Sequence, residues 1–145
     1  MKRILVLCTG NSCRSQMAEG YLKFYTQSGA EIHSAGLESH GVNPYAVRAM
    51  AEDSIDITSQ HSKPVHVFKG QHFDYLLTVC DEATRNMLPG ITFEEKIHYS
   101  IPDPATLEAA PEQKMEEFRR VREIVKKHML KFIGKALQEN TEAAA

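Results

Sequence analysis

The apolar run Ile4-Leu5-Val6-Leu7 stops at Cys8 and passes through the polar turn Thr9-Gly10-Asn11-Ser12. From Ser15 it is followed by Met17, Ala18, Tyr21, Leu22 and Tyr25 at helical spacing. An apolar run without polar alternation belongs to a strand buried on both faces. A strand that turns straight into an amphipathic helix is the first half of a right-handed β-α-β crossover. The pattern recurs: residues 32–35 read as a second strand closed by Gly36, residues 75–80 as a third, and residues 96–101 as a fourth that polar residues interrupt. Gly29 reads as the stop of the first helix. Asn43-Pro44 opens a second through Ala46, Val47, Ala49 and Met50, and Asp81 suits the cap of a short helix to about Met87. Met115, Phe118, Val121, Ile124, Val125, Met129, Phe132, Ile133 and Leu137 stripe a long C-terminal helix that must pack on the sheet. The expected fold is α/β: a three-layer α/β/α arrangement on a four-stranded parallel sheet, one domain over 1–137, with 138–145 a frayed tail.

A chain of 145 residues, 42% apolar, buries about two-thirds of its unfolded surface and needs no staples. Seventeen Lys and Arg against nineteen Asp and Glu leave a net charge of −2. No basic excess exists to neutralise nucleic-acid phosphates or an anionic membrane. Three cysteines are too few, and odd in number, for a disulfide framework, so reduced thiols and a cytoplasmic location are expected. Residues 4–8 are too short for a signal-peptide core or a membrane span. The seven histidines are scattered, with His61 and His66 separated across Pro64, and assemble no metal ligand set.

The chemistry concentrates in Cys8-Thr9-Gly10-Asn11-Ser12-Cys13-Arg14-Ser15. A cysteine six positions before an arginine, on a loop entering a helix, makes an oxyanion cradle. Backbone N–H groups point inward, the helix N-terminus adds positive charge, and the guanidinium grips two oxygens. Gly10 lets the backbone turn closely. That field should lower the Cys8 pKa until the sulfur is largely thiolate near neutrality, with Ser15 hydrogen-bonding it. In a parallel sheet ligands sit at the carboxyl ends of strands. Cys80 falls at such an end and could face the same site.

Cys8, Arg14 and Ser15 match the Cys-x5-Arg-Ser signature of the low-molecular-weight protein tyrosine phosphatase superfamily, which this chain resembles. The resemblance continues through Gln16-Met17-Ala18-Glu19-Gly20, Ser34-Ala35-Gly36, Gly41-Val42-Asn43-Pro44 and Asp103-Pro104. Within the superfamily the chain is most similar to its arsenate reductases, which read Thr-Gly-Asn-Ser-Cys-Arg-Ser-Gln where phosphatases usually place proline at Gln16. The resemblance implies Asp103 as the acid that protonates a departing oxygen, which requires it to carry a proton when the anion binds. Ala105 and Thr106 stand where phosphatases usually carry aromatics, which suits a small inorganic oxyanion, arsenate or phosphate.

Cys80 matches the reductases' second thiol. The implied function is reduction of arsenate to arsenite for arsenic detoxification, with Cys8 attacking arsenic and Cys80 attacking Cys8, and with residual phosphatase activity. Two other functions stay open: hydrolysis of phosphotyrosine or aryl phosphates through a phosphocysteine, and a non-catalytic oxyanion-binding or redox-sensing module. The third relay cysteine of thioredoxin-coupled reductases is Met87 here. No tightly bound cofactor is therefore expected, only an external thiol reductant (glutathione with glutaredoxin, mycothiol or thioredoxin), with Cys13 a spare thiol and the protein a monomer. The resemblance also implies a potassium site at Asn11, Glu19 and Ser34, but its remaining acidic ligand is replaced by Lys63, whose ammonium could fill the cation's place.

Overall fold

A computed structural model describes residues 1–81 and 90–137. The expected helix after Asp81, Met87 and the tail 138–145 lie outside the described residues. Four strands, β1 (Lys2–Cys8), β2 (Ala30–Gly36), β3 (His72–Thr78) and β4 (Thr92–His98), form one parallel sheet in the order β2-β1-β3-β4. Ile4, Leu5, Val6 and Leu7 are fully buried at its centre, as an unalternating apolar run requires. Helix α1 (Arg14–Thr26) packs on β2 and β1, and α3 (Pro111–Phe132) packs on α1 and on α2 (Pro44–Glu52). The stripe Met115, Phe118, Val121, Val125, Met129 and Phe132 is buried. A 3-10 turn, Val65–Phe68, sets Phe68 against His33 and Phe73, with ring centres 5.2 and 5.8 Å apart.

Three local expectations are corrected. Helix α1 ends at Thr26, and Gln27, not Gly29, is the left-handed residue (φ 45°) that donates its N–H to the Lys23 carbonyl. The third strand lies at 72–78, so Cys80 stands two residues past its end. The fourth begins at Thr92 and ends at His98, and none of its residues is buried. It is a sheet edge, so hydrophobic patterning does not mark it and the sheet is not covered on both faces there. Asn43 behaves as expected, its side chain accepting from the Tyr45 N–H at 2.8 Å ahead of Pro44.

Among the described residues no helix is long and apolar enough to cross a membrane. β1 ends at Cys8, α1 begins at Arg14, and the five residues between them form a loop at the carboxyl end of the sheet.

Candidate active site

The loop is built inside out. The carbonyls of Cys8, Thr9, Gly10 and Ser12 accept from the N–H groups of Leu37, Glu38, His40 and Asn43, at 3.1, 2.9, 3.0 and 3.0 Å. With these oxygens turned outward, the loop's N–H groups are left to face the concavity, as in an anion-binding nest. Close packing enforces the shape. A Cβ on Gly36 would lie 2.7 Å from the Asn11 nitrogen, 2.7 Å from the Thr9 oxygen and 2.4 Å from the Glu38 oxygen.

Asn11 takes a left-handed backbone (φ 49°), costly for a residue other than glycine, and its own side chain holds it there. Nδ2 donates to Ser15 Oγ at 2.8 Å and Ser34 Oγ at 2.9 Å, while Oδ1 accepts from the Lys63 N–H at 2.9 Å.

The cradle encloses about 180 Å³, lined by the loop and Arg14 together with His40, Asp103 and Ala105. This is below the usual range for organic ligands, roughly 300–1,000 Å³, and suits a tetrahedral anion. Arg14 is held by a 2.9 Å bond to the Ile101 carbonyl and lies 3.6 Å from Asp103 Oδ2. Its Nε is buried without a hydrogen-bond partner among the described residues. The other oxygen of Asp103, Oδ1, accepts from the Ala105 N–H at 3.0 Å.

His40 was not legible as a lining residue. Its ring lies over Gly10, where a Cβ would come within 2.5 Å of Nδ1, and its Nε2 pairs with Glu38 at 2.7 Å. The contact joins positions thirty residues apart, and only the bare Gly10 hinted at it.

Cys8, Cys13 and Cys80 are all buried. The Cys80 thiol neighbours Cys8 closely enough to act on its proton, and Thr9 Oγ1 lies 3.1 Å from Cys80 Sγ. The expectation of a standing Cys8 thiolate is corrected here. The Cys80 thiol first, and burial second, push the Cys8 thiol up, against the Arg14 guanidinium and the Thr9 N–H, which pull it down. Two neighbouring buried thiols disfavour a second negative charge, which holds a proton on the pair.

Ser15 is fully buried and accepts from Asn11; it is not among the described groups acting on Cys8. Cys13 precedes α1 with its thiol directed at Ser12 Oγ, 3.8 Å away, and burial pushes it up to about 11.

Behind the loop, Glu19 is buried, accepting from Ser34 Oγ at 2.5 Å and Lys23 Nζ at 2.6 Å. Lys63 Nζ lies 4.0 Å from Glu19 and donates to the His61 carbonyl at 2.8 Å. Burial lowers the Lys63 pKa and Lys23 adds to that, while Glu19 opposes it. Potassium does not fit: two ammonium groups already face the carboxylate that would hold it.

A family profile described as low molecular weight phosphotyrosine protein phosphatase matches residues 3–143. The chain is 44% identical over 131 residues to an arsenate reductase of Halalkalibacterium halodurans, covering 90% of this chain and 94% of that one. It is 39% identical over 131 residues to an arsenate reductase of Bacillus subtilis, with the same coverage. Among solved structures it is similar to an arsenate reductase in the oxidized state, with TM-score 0.80 and 32% identity over 93% of this chain and 98% of that chain. An arsenate reductase in the phosphate-binding state matches with TM-score 0.76 and 34% identity over the same shares.

Proposed function

The chain belongs to the low molecular weight phosphotyrosine protein phosphatase family, and from that premise we propose that it reduces arsenate to arsenite by thiol chemistry in the loop 8–14. The observation that carries this reading is a second buried thiol, Cys80, neighbouring the Cys8 that lines the oxyanion cradle. Hydrolysis needs no second thiol; reduction does.

Arsenate is held by the loop N–H groups and by Arg14, whose buried Nε has no partner among the described residues. Cys8 gives up its proton to the incoming oxyanion and attacks arsenic. An As–O bond breaks and the oxygen leaves as water, its proton relayed through Asp103 across the mouth of the pocket. Cys80 then attacks the Cys8 sulfur. The S–As bond breaks, its electron pair reduces arsenic(V) to arsenic(III), and a Cys8–Cys80 disulfide remains. Overall two thiols and arsenate yield arsenite, one disulfide and one water.

An external thiol, from glutathione with glutaredoxin, mycothiol or thioredoxin, restores the pair. The relatives' arsenate reductase activity and the phosphate-bound relative support an oxyanion substrate. Slow hydrolysis of aryl phosphates is the secondary activity, because phosphate shares arsenate's geometry.

The test measures arsenite production with each thiol donor beside aryl phosphate hydrolysis. Cys8→Ser should abolish both reactions, and Cys80→Ser should abolish arsenite production alone. Unchanged arsenate turnover in Cys80→Ser would overturn the proposal. Absence of Cys8-dependent turnover of either substrate would favour a binding or sensing module.

A further inference from the structure

His98 ends the exposed edge strand, yet both of its ring nitrogens are engaged. Nδ1 lies 2.7 Å from Thr78 Oγ1 and Nε2 lies 2.9 Å from Asp81 Oδ1. Thr78 and Asp81 flank Val79 and Cys80, so one imidazole spans the segment that carries the second thiol.

The placement matters because sheet bonding runs out at this point. Thr78, fully buried, is paired in register with His98, and its carbonyl accepts from the Tyr99 N–H at 2.8 Å. The Val79 N–H donates to the Leu7 carbonyl at 3.0 Å. Cys80 is the next residue, past the end of β3, and its sulfur must stay near Cys8. A side chain carried by β4 and bonded on both sides of Cys80 restricts the swing of that segment.

We propose that His98 is a positioning residue that sets how often the Cys80 sulfur meets Cys8, acting through its bridge from Thr78 to Asp81. The proposal rests on the reductase reading for its biological meaning, but the bridge itself is testable without arsenate. In a glutathione redox buffer the two thiols form one S–S bond, surrendering two electrons and two protons to oxidised glutathione, which becomes two thiols. The equilibrium constant is the effective concentration of one sulfur at the other.

That constant is measured for the wild type, His98→Ala, Asp81→Ala and Asp81→Asn, beside arsenite production and aryl phosphate hydrolysis. His98→Ala and Asp81→Ala should each lower it by roughly five- to tenfold, the weight of a hydrogen bond or two. Arsenite production should fall in step while aryl phosphate kcat and KM stay put. Asp81→Asn keeps an acceptor oxygen and should remain near wild type. Asp81 is exposed at the surface and its Oδ1 also accepts from Ser100 Oγ at 3.4 Å, so Ser100→Ala is measured beside its variants, and the bridge is reported by a loss that His98→Ala and Asp81→Ala share and Ser100→Ala does not.

An unchanged constant in Asp81→Ala would overturn the proposal, as would an equal loss in Asp81→Asn. If the wild type makes no arsenite but the constant still follows the bridge, the reductase reading fails and this one stands.

Discussion

Gln60 donates from a single amide nitrogen to both oxygens of Gln16, the backbone carbonyl at 2.9 Å and the side-chain oxygen at 2.8 Å. Gln16 in turn donates to the carbonyls of Asn11 at 3.2 Å and His61 at 3.0 Å. The pair clasps the oxyanion loop to the segment carrying Lys63. A proline at position 16 would sit in the first turn of α1, where a missing N–H is tolerated, but it would have no amide to offer.

Gln16→Pro should therefore fold yet lose about 1–3 kcal/mol of stability, because Gln60 and two carbonyls lose partners. Its kcat/KM for arsenate should fall by roughly tenfold or more as the loop loosens. Urea unfolding and arsenite assays check both, and a variant with wild-type kinetics would show that the clasp is dispensable.

Gly36→Ala should collapse oxyanion binding. Its Cβ would meet three backbone atoms of the loop region within 2.7 Å, and backbone, unlike a flexible side-chain tip, has little room to yield. Overpacking of this kind costs about 1–3 kcal/mol, and phosphate affinity measured by calorimetry should drop by at least about tenfold. Retention of affinity would mean that the cradle deforms more easily than its packing implies.

Cys13 should be a bystander with a pH signature. Burial holds its folded-state pKa at about 11, above its ordinary 9.0, so the folded protein keeps a proton that the unfolded chain has lost. Stability is then complete below pH 9 and falls as pH rises toward 11; at pH 10 the loss is about 1 kcal/mol. Cys8 and Tyr21, also raised, tilt the curve the same way. Cys13→Ala should flatten the slope of the urea midpoint between pH 8 and pH 10 and leave arsenate turnover within about twofold. Loss of turnover would make Cys13 a relay thiol.

Exchange of sodium for potassium at constant ionic strength should leave arsenate kinetics unchanged, because Lys63 and Lys23 already face Glu19. Lys63→Asp should create a response to potassium by exchanging an ammonium for a carboxylate. A strong rate gain with potassium in the wild type would count against this role for Lys63.

Much of this was legible in the letters. The run of residues 4–7 ending in Cys8 placed the central strand, and the spacing of Cys8 and Arg14 placed the cradle, because both signals are local. What was lost depends on contacts across the chain. The β4 boundaries are not legible because an exposed edge strand has no buried face to impose alternation. The left-handed stop at Gln27 is not legible because its bond to the Lys23 carbonyl, not a glycine, ends the helix. The ionisation of Cys8 is not legible, because Cys80, seventy-two residues away, bears on it only in the folded chain. His40 and Gln60 gave no local sign of their partners.

Leu37, Glu38 and Asn43 grip the loop's carbonyl oxygens from behind, so the mould around the cradle is made of the chain that follows β2. A guest that stiffens the inner N–H groups also stiffens the oxygens they share peptide bonds with. Hydrogen exchange at these three amides should slow when phosphate is added, so that occupancy of the pocket is read on its outer surface.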